Sequence, residues 1–287
     1  MDTAEIIESL VELGRQRRYY MQQRMRAEQS LKAYLASCSG YSPTDGDGKK
    51  LWKEIDLVVQ AVRKDESASL PAWVDVAAIA ATDSMIAPMK TAEKALEKAI
   101  GKRALDLPVA EWWVGQRGLG ILGLGLLVAE AGDLKRYATK MRLWKRLGLA
   151  VIEGERQRKM KGATALAHGY SPARRAVTWN IGESLFRAQW SAPKDENGKN
   201  ANMTKKEIII PAGPTGKWGE IYAYRRSVTE PRIAETESLE TYLRTPGGQL
   251  FLNPAKWTPS RVHADAKRYM TKALVKATWQ KWRGEAA

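Results

Sequence analysis

Cysteine, histidine and phenylalanine are almost missing from this chain of 287 residues, which has one Cys, two His and two Phe. Cys38 alone excludes an internal disulfide and fits a reducing interior. His168 and His263 beside one Cys are too few for a Cys/His zinc site within one chain. No basic, then apolar, then small-residue leader opens the sequence. The longest apolar stretch, residues 119–131, contains Glu130 and several glycines and is too short to span a bilayer. Acids are also in deficit, with 32 Asp+Glu against 47 Lys+Arg and a formal net charge of +15. The expectation is a soluble cytoplasmic chain with no membrane contact, no metal and no cofactor.

The excess of positive charge argues for a polyanionic partner. Hydrophobic residues at 44% suffice for a core, and the length allows one large domain or two small ones. The aromatic set is skewed to eleven Trp and ten Tyr. Their polar handles suit interfaces and base stacking as well as cores.

Along the chain, Ile6, Leu10, Leu13, Tyr20, Met21, Leu31 and Leu35 recur at helical spacing, which predicts one long helix over residues 4–36. Its middle carries Arg15, Arg17, Arg18, Arg24 and Arg26 with no acid between them. Two readings stand: a face packing on its neighbours, or a coiled-coil arm whose arginines follow a phosphate backbone. Residues 39–50 form a loop, and Asp45 and Asp47 lack the ligand spacing of a calcium loop. A helix over 51–64 places Trp52, Ile55, Val58, Val59 and Val62 on one face. The Ala-rich residues 72–100 are helical, with Pro88 breaking or starting a piece.

Pro108 opens a short helix holding Trp112 and Trp113, and another helix covers 122–131. Thr139 caps a helix over 140–147 that Gly148 ends, and Pro172 opens one with Val177, Ile181, Leu185 and Phe186 as its buried stripe. Residues 192–204 are a polar loop. Residues 207–210 and 218–224 read as two strands, because Trp218, Glu220, Tyr222 and Tyr224 alternate with Gly219, Ile221 and Ala223. A basic amphipathic helix over 256–283 sets Val262, Ala266, Met270, Ala273 and Ala277 against eight Lys/Arg and one Asp.

The sharpest motif is Arg117-Gly118-Leu119-Gly120-Ile121-Leu122-Gly123. A turn that bares backbone N–H groups at a helix start suits an anion. The same glycines fit G-x-G-x-x-G, but a dinucleotide site needs a strand before them and an acid about twenty residues on. Here a helical pattern precedes and basic residues follow. A tight helix–helix turn, with glycines for close packing, is the structural alternative. The functional reading is a helix-hairpin-helix gripping phosphate without reading sequence. Beside it run Lys135, Arg136, Lys140, Arg142, Lys145, Arg146, Arg156, Arg158, Lys159 and Lys161, against Glu153 and Glu155 alone. Tyr137 and Trp144 within that run fit either stacking or a core.

On these residues the chain resembles the bridge-RNA-guided insertion-sequence transposases. Gly118-Leu119-Gly120 is similar to that family's Gly-Ile-Gly hairpin, and Ala129-Glu130-Ala131-Gly132-Asp133 to its Ala-Glu-Ile-Gly-Asp. Arg136-Tyr137 resembles its Arg-Phe, and Leu147-Gly148-Leu149-Ala150 its Ala-Gly-Leu-Ala. Residues 13–35 resemble the arginine-rich linker helix. Arg174 and Arg175 open a stretch similar to the helix after the family's basic turn, and they join the candidate site. The resemblance covers residues 5–190 and is strongest over 117–150. It implies a coiled-coil linker followed by a helix-hairpin-helix domain, in a prokaryotic or phage-encoded protein.

The departures bear on activity. The family's acidic nuclease-like domain has no counterpart here. The stretch that holds its serine nucleophile reads Val151-Ile152-Glu153-Gly154-Glu155-Arg156-Gln157-Arg158, without a hydroxyl or thiol. Ser171 and Ser184 show no His or Asp partner at a readable spacing. Tyr170 near His168 fits tyrosine chemistry or a helix entry beside a loop His. Asp56, Asp65, Asp75, Asp83 and Asp106 are scattered, not paired as a two-metal nuclease needs.

The expected fold is mainly α: a helical arm and bundle over 1–105, a helix-hairpin-helix domain over 106–190, a loop and small inserted β-hairpin over 191–255, and a basic C-terminal helix over 256–287. The expected function is nucleic-acid binding, DNA ahead of RNA, in a mobile-element protein without a catalytic site of its own. The N-terminal helix would make it a homo-oligomer. The alternatives are an active recombinase working with a partner nuclease, and a basic scaffold protein of a phage or mobile element.

Overall fold

The structure, a computed structural model, describes residues 2–42, 48–66, 70–160, 162, 165, 168–189, 216–244, 248 and 250–285. The expected loop at 192–204, the expected strand at 207–210 and Lys161 lie outside the described residues. The fold is mainly helical with two small antiparallel hairpins. The chain divides into two compact units, residues 12–102 and residues 1–11 with 103–287.

The 12–102 unit holds most of α1 (Thr3–Cys38), α2 (Gly48–Arg63) and most of α3 (Val76–Ala104). Leu31, Leu35 and Ala36 of α1, Ile55 and Val59 of α2 and Ile79 of α3 make its core, with Tyr41, Leu51, Val62 and Trp73 packed around. The apolar face of α2 is narrower than its sequence pattern: Trp52 is exposed while Ile55, Val58 and Val59 are buried. Pro88 lies inside α3 and neither breaks nor starts it. A proline removes one i→i−4 bond, and the turns on either side keep theirs. Two arginines of the arm are spent within this unit. Arg17 pairs with Glu97 at 2.6 Å, and Arg24 pairs with Glu93 through Nε at 2.7 Å and Nη2 at 3.2 Å.

The second unit contains α4 (Ala110–Val114), α5 (Ile121–Ala131), a 3₁₀ turn (Leu134–Arg136), α6 (Lys140–Arg146), β1 (Val151–Ile152), β2 (Glu155–Arg156), α7 (Pro172–Ala188), α8 (Gly216–Thr229), α9 (Arg232–Glu235), β3 (Tyr242–Arg244), β4 (Leu250–Leu252) and α10 (Pro259–Trp282). The Thr139 cap read from sequence is in place, and the structure adds two more at Ser171 and Thr258. The Thr139 side chain accepts from Arg142 N, Ser171 from Arg174 N and Thr258 from Arg261 N. The basic C-terminal helix α10 is a core element: Val262, Ala266, Met270, Leu274, Val275 and Trp282 are buried along it. It packs on α8, α7 and α6. Where α7 meets α10, a side chain at Gly182 would fall 2.2 Å from Thr271 Oγ1, so only glycine fits.

Residues 218–224 are not a strand. They lie within α8, and Trp218 and Tyr222, four apart, are its buried anchors. The period-two alternation misled because its aromatic positions satisfy helical spacing as well. The hairpin within residues 191–255 is instead β3–β4, with Leu243 opposite Phe251. A second hairpin, β1–β2, turns through Glu153 and Gly154, both at positive φ. A two-residue loop of that type matches strand twist.

Five indoles explain part of the tryptophan excess. Trp113 Nε1 donates to Gly120 O at 3.1 Å, Trp144 to Lys272 O at 3.2 Å, Trp218 to Gln116 Oε1 at 3.1 Å, Trp279 to Tyr137 O at 3.0 Å and Trp282 to Asp133 Oδ1 at 3.0 Å. Trp113, Trp218 and Trp282 are buried and Trp144 and Trp279 half-buried, and each indole N–H is satisfied by an acceptor on another segment.

Candidate nucleic-acid interface

The glycine motif forms the turn between α4 and α5. Side chains hold it from beneath: besides Trp113 on Gly120 O, Gln189 Nε2 donates to Arg117 O at 3.1 Å. The three glycines do different work. Gly118 has φ +91°, and a Cβ there would lie 2.3 Å from Ala188 Cβ and 2.9 Å from Ser184 O. It is glycine for backbone and packing reasons. Gly123 sits inside α5, its N–H donating to Gly120 O at 2.9 Å, with Ile181 and Trp113 at ordinary contact distance.

Gly120 is different. Its φ of −87° and ψ of 151° suit any residue, and a Cβ there meets nothing within 4 Å. It is the N-cap of α5, and no side chain caps that helix. The N–H groups of Ile121 and Leu122 fall in the first turn, where an α-helix offers no internal acceptor. Arg117, Gly118 and Gly120 are all exposed. The bend is therefore open to solvent at its helix-start side and packed on its other.

The basic residues divide into exposed and engaged sets. Lys135, Arg136, Arg142, Lys145, Arg158 and Lys159 are exposed on the 3₁₀ turn, α6 and the stretch after β2. Arg158 meets Glu155 at 3.1 Å, and Lys140 lies 5.8 Å from the Trp144 ring centre. Arg146 is exposed, but its Nε donates to Glu130 O at 3.1 Å, and Arg174 stands 3.8 Å from the Glu130 carboxylate. Arg156 pairs with Asp265. Arg175 is half-buried and donates to Thr178 Oγ1 at 3.2 Å. Burial, with Arg156 nearby, lowers its guanidinium pKa.

Residues that sequence reading offered for chemistry serve structure. Ser171 caps α7, and Tyr170 packs on Gly148. Tyr137 donates to Ala131 O at 2.5 Å, and burial raises its pKa. Among the described residues no group of His, Cys, Asp and Glu could hold a metal ion. Nor is any described helix long and apolar enough to cross a membrane.

Sequence reading offered the basic helix 256–283 as an extension of the footprint without singling out its residues, and passed over Arg225 of α8. Arg225 Nε donates to Asp265 Oδ2 at 2.7 Å, and Arg268 Nη2 donates to the carbonyls of Leu149 and Ala150, each at 3.0 Å. Lys272 Nζ sits 4.1 Å from the Trp144 ring centre. Burial first, then like charges including Arg156 and Arg175, brings Arg268 down to about 10, and burial with Arg268 nearby brings Lys272 down to about 8. The available signal was the row Arg261, Asp265, Arg268 and Lys272, at helical spacing beside the apolar stripe of α10. The buried Gln157 was also missed. It accepts from Ala150 N and donates to the carbonyls of Lys145 and His168, fixing the chain beyond β2.

No protein-family model, curated protein or solved structure matches this chain.

Proposed function

We propose that this is a nucleic-acid-binding protein of mobile-element, transposase-like type, acting on DNA, that grips phosphates through the α4–α5 turn and the basic face of α6 and its flanks. It needs no catalytic site of its own for this. The observation that carries the reading is Gly120: an open, uncapped helix start with free approach to its amides, set in the same unit as the exposed cations of residues 135–159. Helix N-termini favour anions through both amides and dipole. Phosphate contacts of this kind position a duplex without reading its bases. The resemblance to the bridge-RNA-guided transposases supports the same assignment.

Gly120→Asp tests it. The backbone there accepts a side chain, and Asp is among the best N-caps, so the fold should hold or gain slightly. The new carboxylate would occupy the amides and repel phosphate. Fluorescence anisotropy with a labelled duplex at ~50 mM salt should show affinity falling about tenfold, because charge-assisted contacts are lost. Equal affinity of variant and wild type would end the turn's role. Wild-type affinity should also fall with salt at a log–log slope of about −0.9 per phosphate engaged.

A further inference from the structure

We propose that Arg156 and Arg225, which hold Asp265, form with Arg268 and Arg175 a seat for a single phosphate group. The proposal rests on the nucleic-acid reading above and adds a second contact, built by residues outside the glycine turn.

Asp265 is already held as a phosphate would be. Arg156 Nη2 takes its Oδ1 and Arg225 Nε its Oδ2, from two different elements, β2 and α8. Two guanidinium groups dividing the oxygens of one anion give charge-assisted hydrogen bonds that carboxylate and phosphate accept alike. The other two arginines are fixed by neutral acceptors: Arg268 by two main-chain carbonyls, Arg175 by the Thr178 hydroxyl. They are oriented but not neutralised. Arg261 and Lys272 add their fields from the same helix, and Asp265 is the one carboxylate that acts on Arg261, Arg268 and Lys272. Among the described residues, five cations thus share one acid, with Arg175 beside Arg156.

Cations crowded out of water without counter-charge are costly, and such strain concentrates where a ligand relieves it. The depressed pKa values of Arg175 and Arg268 follow from that crowding. The cluster is not sealed. The Arg156 side chain is 40% exposed, and Tyr269, whose ring lies 5.4 Å from the Arg225 guanidinium, is 41% exposed. An aromatic edge beside a row of arginines suits the phosphate of a strand whose neighbouring base lies on the ring. The phosphate has two possible sources, an internal phosphodiester or a terminal monoester.

The test uses the full chain, the double variant Arg156→Gln/Arg225→Gln and the single variant Asp265→Asn. Thermal melts compare inorganic phosphate with chloride at matched ionic strength. Phosphate should raise the wild-type melting temperature, and the double variant should lose that shift. Asp265→Asn should keep or enlarge it even if its own melting point is lower, because the competing carboxylate has gone. An equal shift in wild type and double variant, or its loss in Asp265→Asn, would overturn the seat. Anisotropy with short duplexes bearing a 5′-hydroxyl or a 5′-phosphate separates the sources. A loss of about tenfold in the double variant on both duplexes identifies an internal phosphodiester, and a loss confined to the phosphorylated duplex a terminal one. If the double variant binds like wild type while Gly120→Asp does not, the seat is rejected and the turn stands. If wild type binds no duplex at low salt, the nucleic-acid reading itself fails and this proposal with it.

Discussion

Arg24 and Arg268 are both partly buried cations on long helices, and the molecule treats them differently. Arg24 meets Glu93 in a two-point contact and Glu28 at 3.4 Å. Arg268 meets the oxygens of two peptide groups and is pressed by other arginines. The contrast extends to their regions. Residues 12–102 hold 15 Lys/Arg against 12 Asp/Glu, so the other unit carries +12 of the chain's +15. Further pairs in the 12–102 unit, Lys32 with Asp56 and Arg63 with Asp83 at 2.5 Å, follow the matched pattern. One region uses charge to fix its helices. The other accumulates it beyond what folding uses, which is the arrangement a polyanion rewards. Removing a matched charge should therefore cost stability and spare binding, and removing an unmatched one should do the reverse.

The largest effect belongs to the matched region. Glu93 is 8% exposed, and its carboxylate is the main partner of Arg24. Glu93→Gln leaves that guanidinium with Glu28 alone, and breaking a pair this buried should cost about 2–3 kcal/mol by urea unfolding. Duplex affinity measured on the folded fraction should not change. A loss of affinity as well would erase the distinction between the regions.

Next in size is Arg175→Met, which keeps most of the side chain's length and removes a desolvated cation. Its guanidinium has a neutral partner, the Thr178 hydroxyl, so little bonding is lost. Stability should hold or rise by up to about 1 kcal/mol, as when function-bearing strain is removed. Duplex affinity should fall several-fold. A clear loss of stability would move Arg175 into the structural class with Arg24.

The helical character, the cap at Thr139, the helix start at Pro172 and the α4–α5 turn were legible because each rests on local rules: periodicity, capping chemistry, proline at a helix start and glycine punctuation. What failed locally was α8, where Trp218 and Tyr222 satisfy two periods at once, and Pro88, which α3 absorbs. The candidate site was legible only in part. A run of basic residues marks where charge is dense, yet it does not say which cations are answered by acids distant in sequence. Arg156 and Asp265 are 109 residues apart, and Arg24 and Glu93 are 69 apart. Local pattern cannot pair them. It also cannot separate Gly118, closed by Ala188, from Gly120, open to solvent.

The smallest effect is a pH dependence at Lys272. Burial, and then the charge of Arg268, hold its ammonium at about 8 in the folded chain, against an ordinary 10.5 when unfolded. Below pH 8 both states carry the proton, and the folded state bears the full cost of a desolvated charge, partly offset by the Trp144 ring. Between about 8 and 10.5 the folded chain has released a proton that the unfolded chain still binds, so stability rises with pH across that window. Lys272→Met lacks this gain. The variant should be the more stable protein at neutral pH, with its advantage over wild type shrinking from pH 8 to 10 in urea titrations. A difference that stays constant over that range would mean that Lys272 is as well accommodated as Arg24, and the unmatched region would lose one of its members.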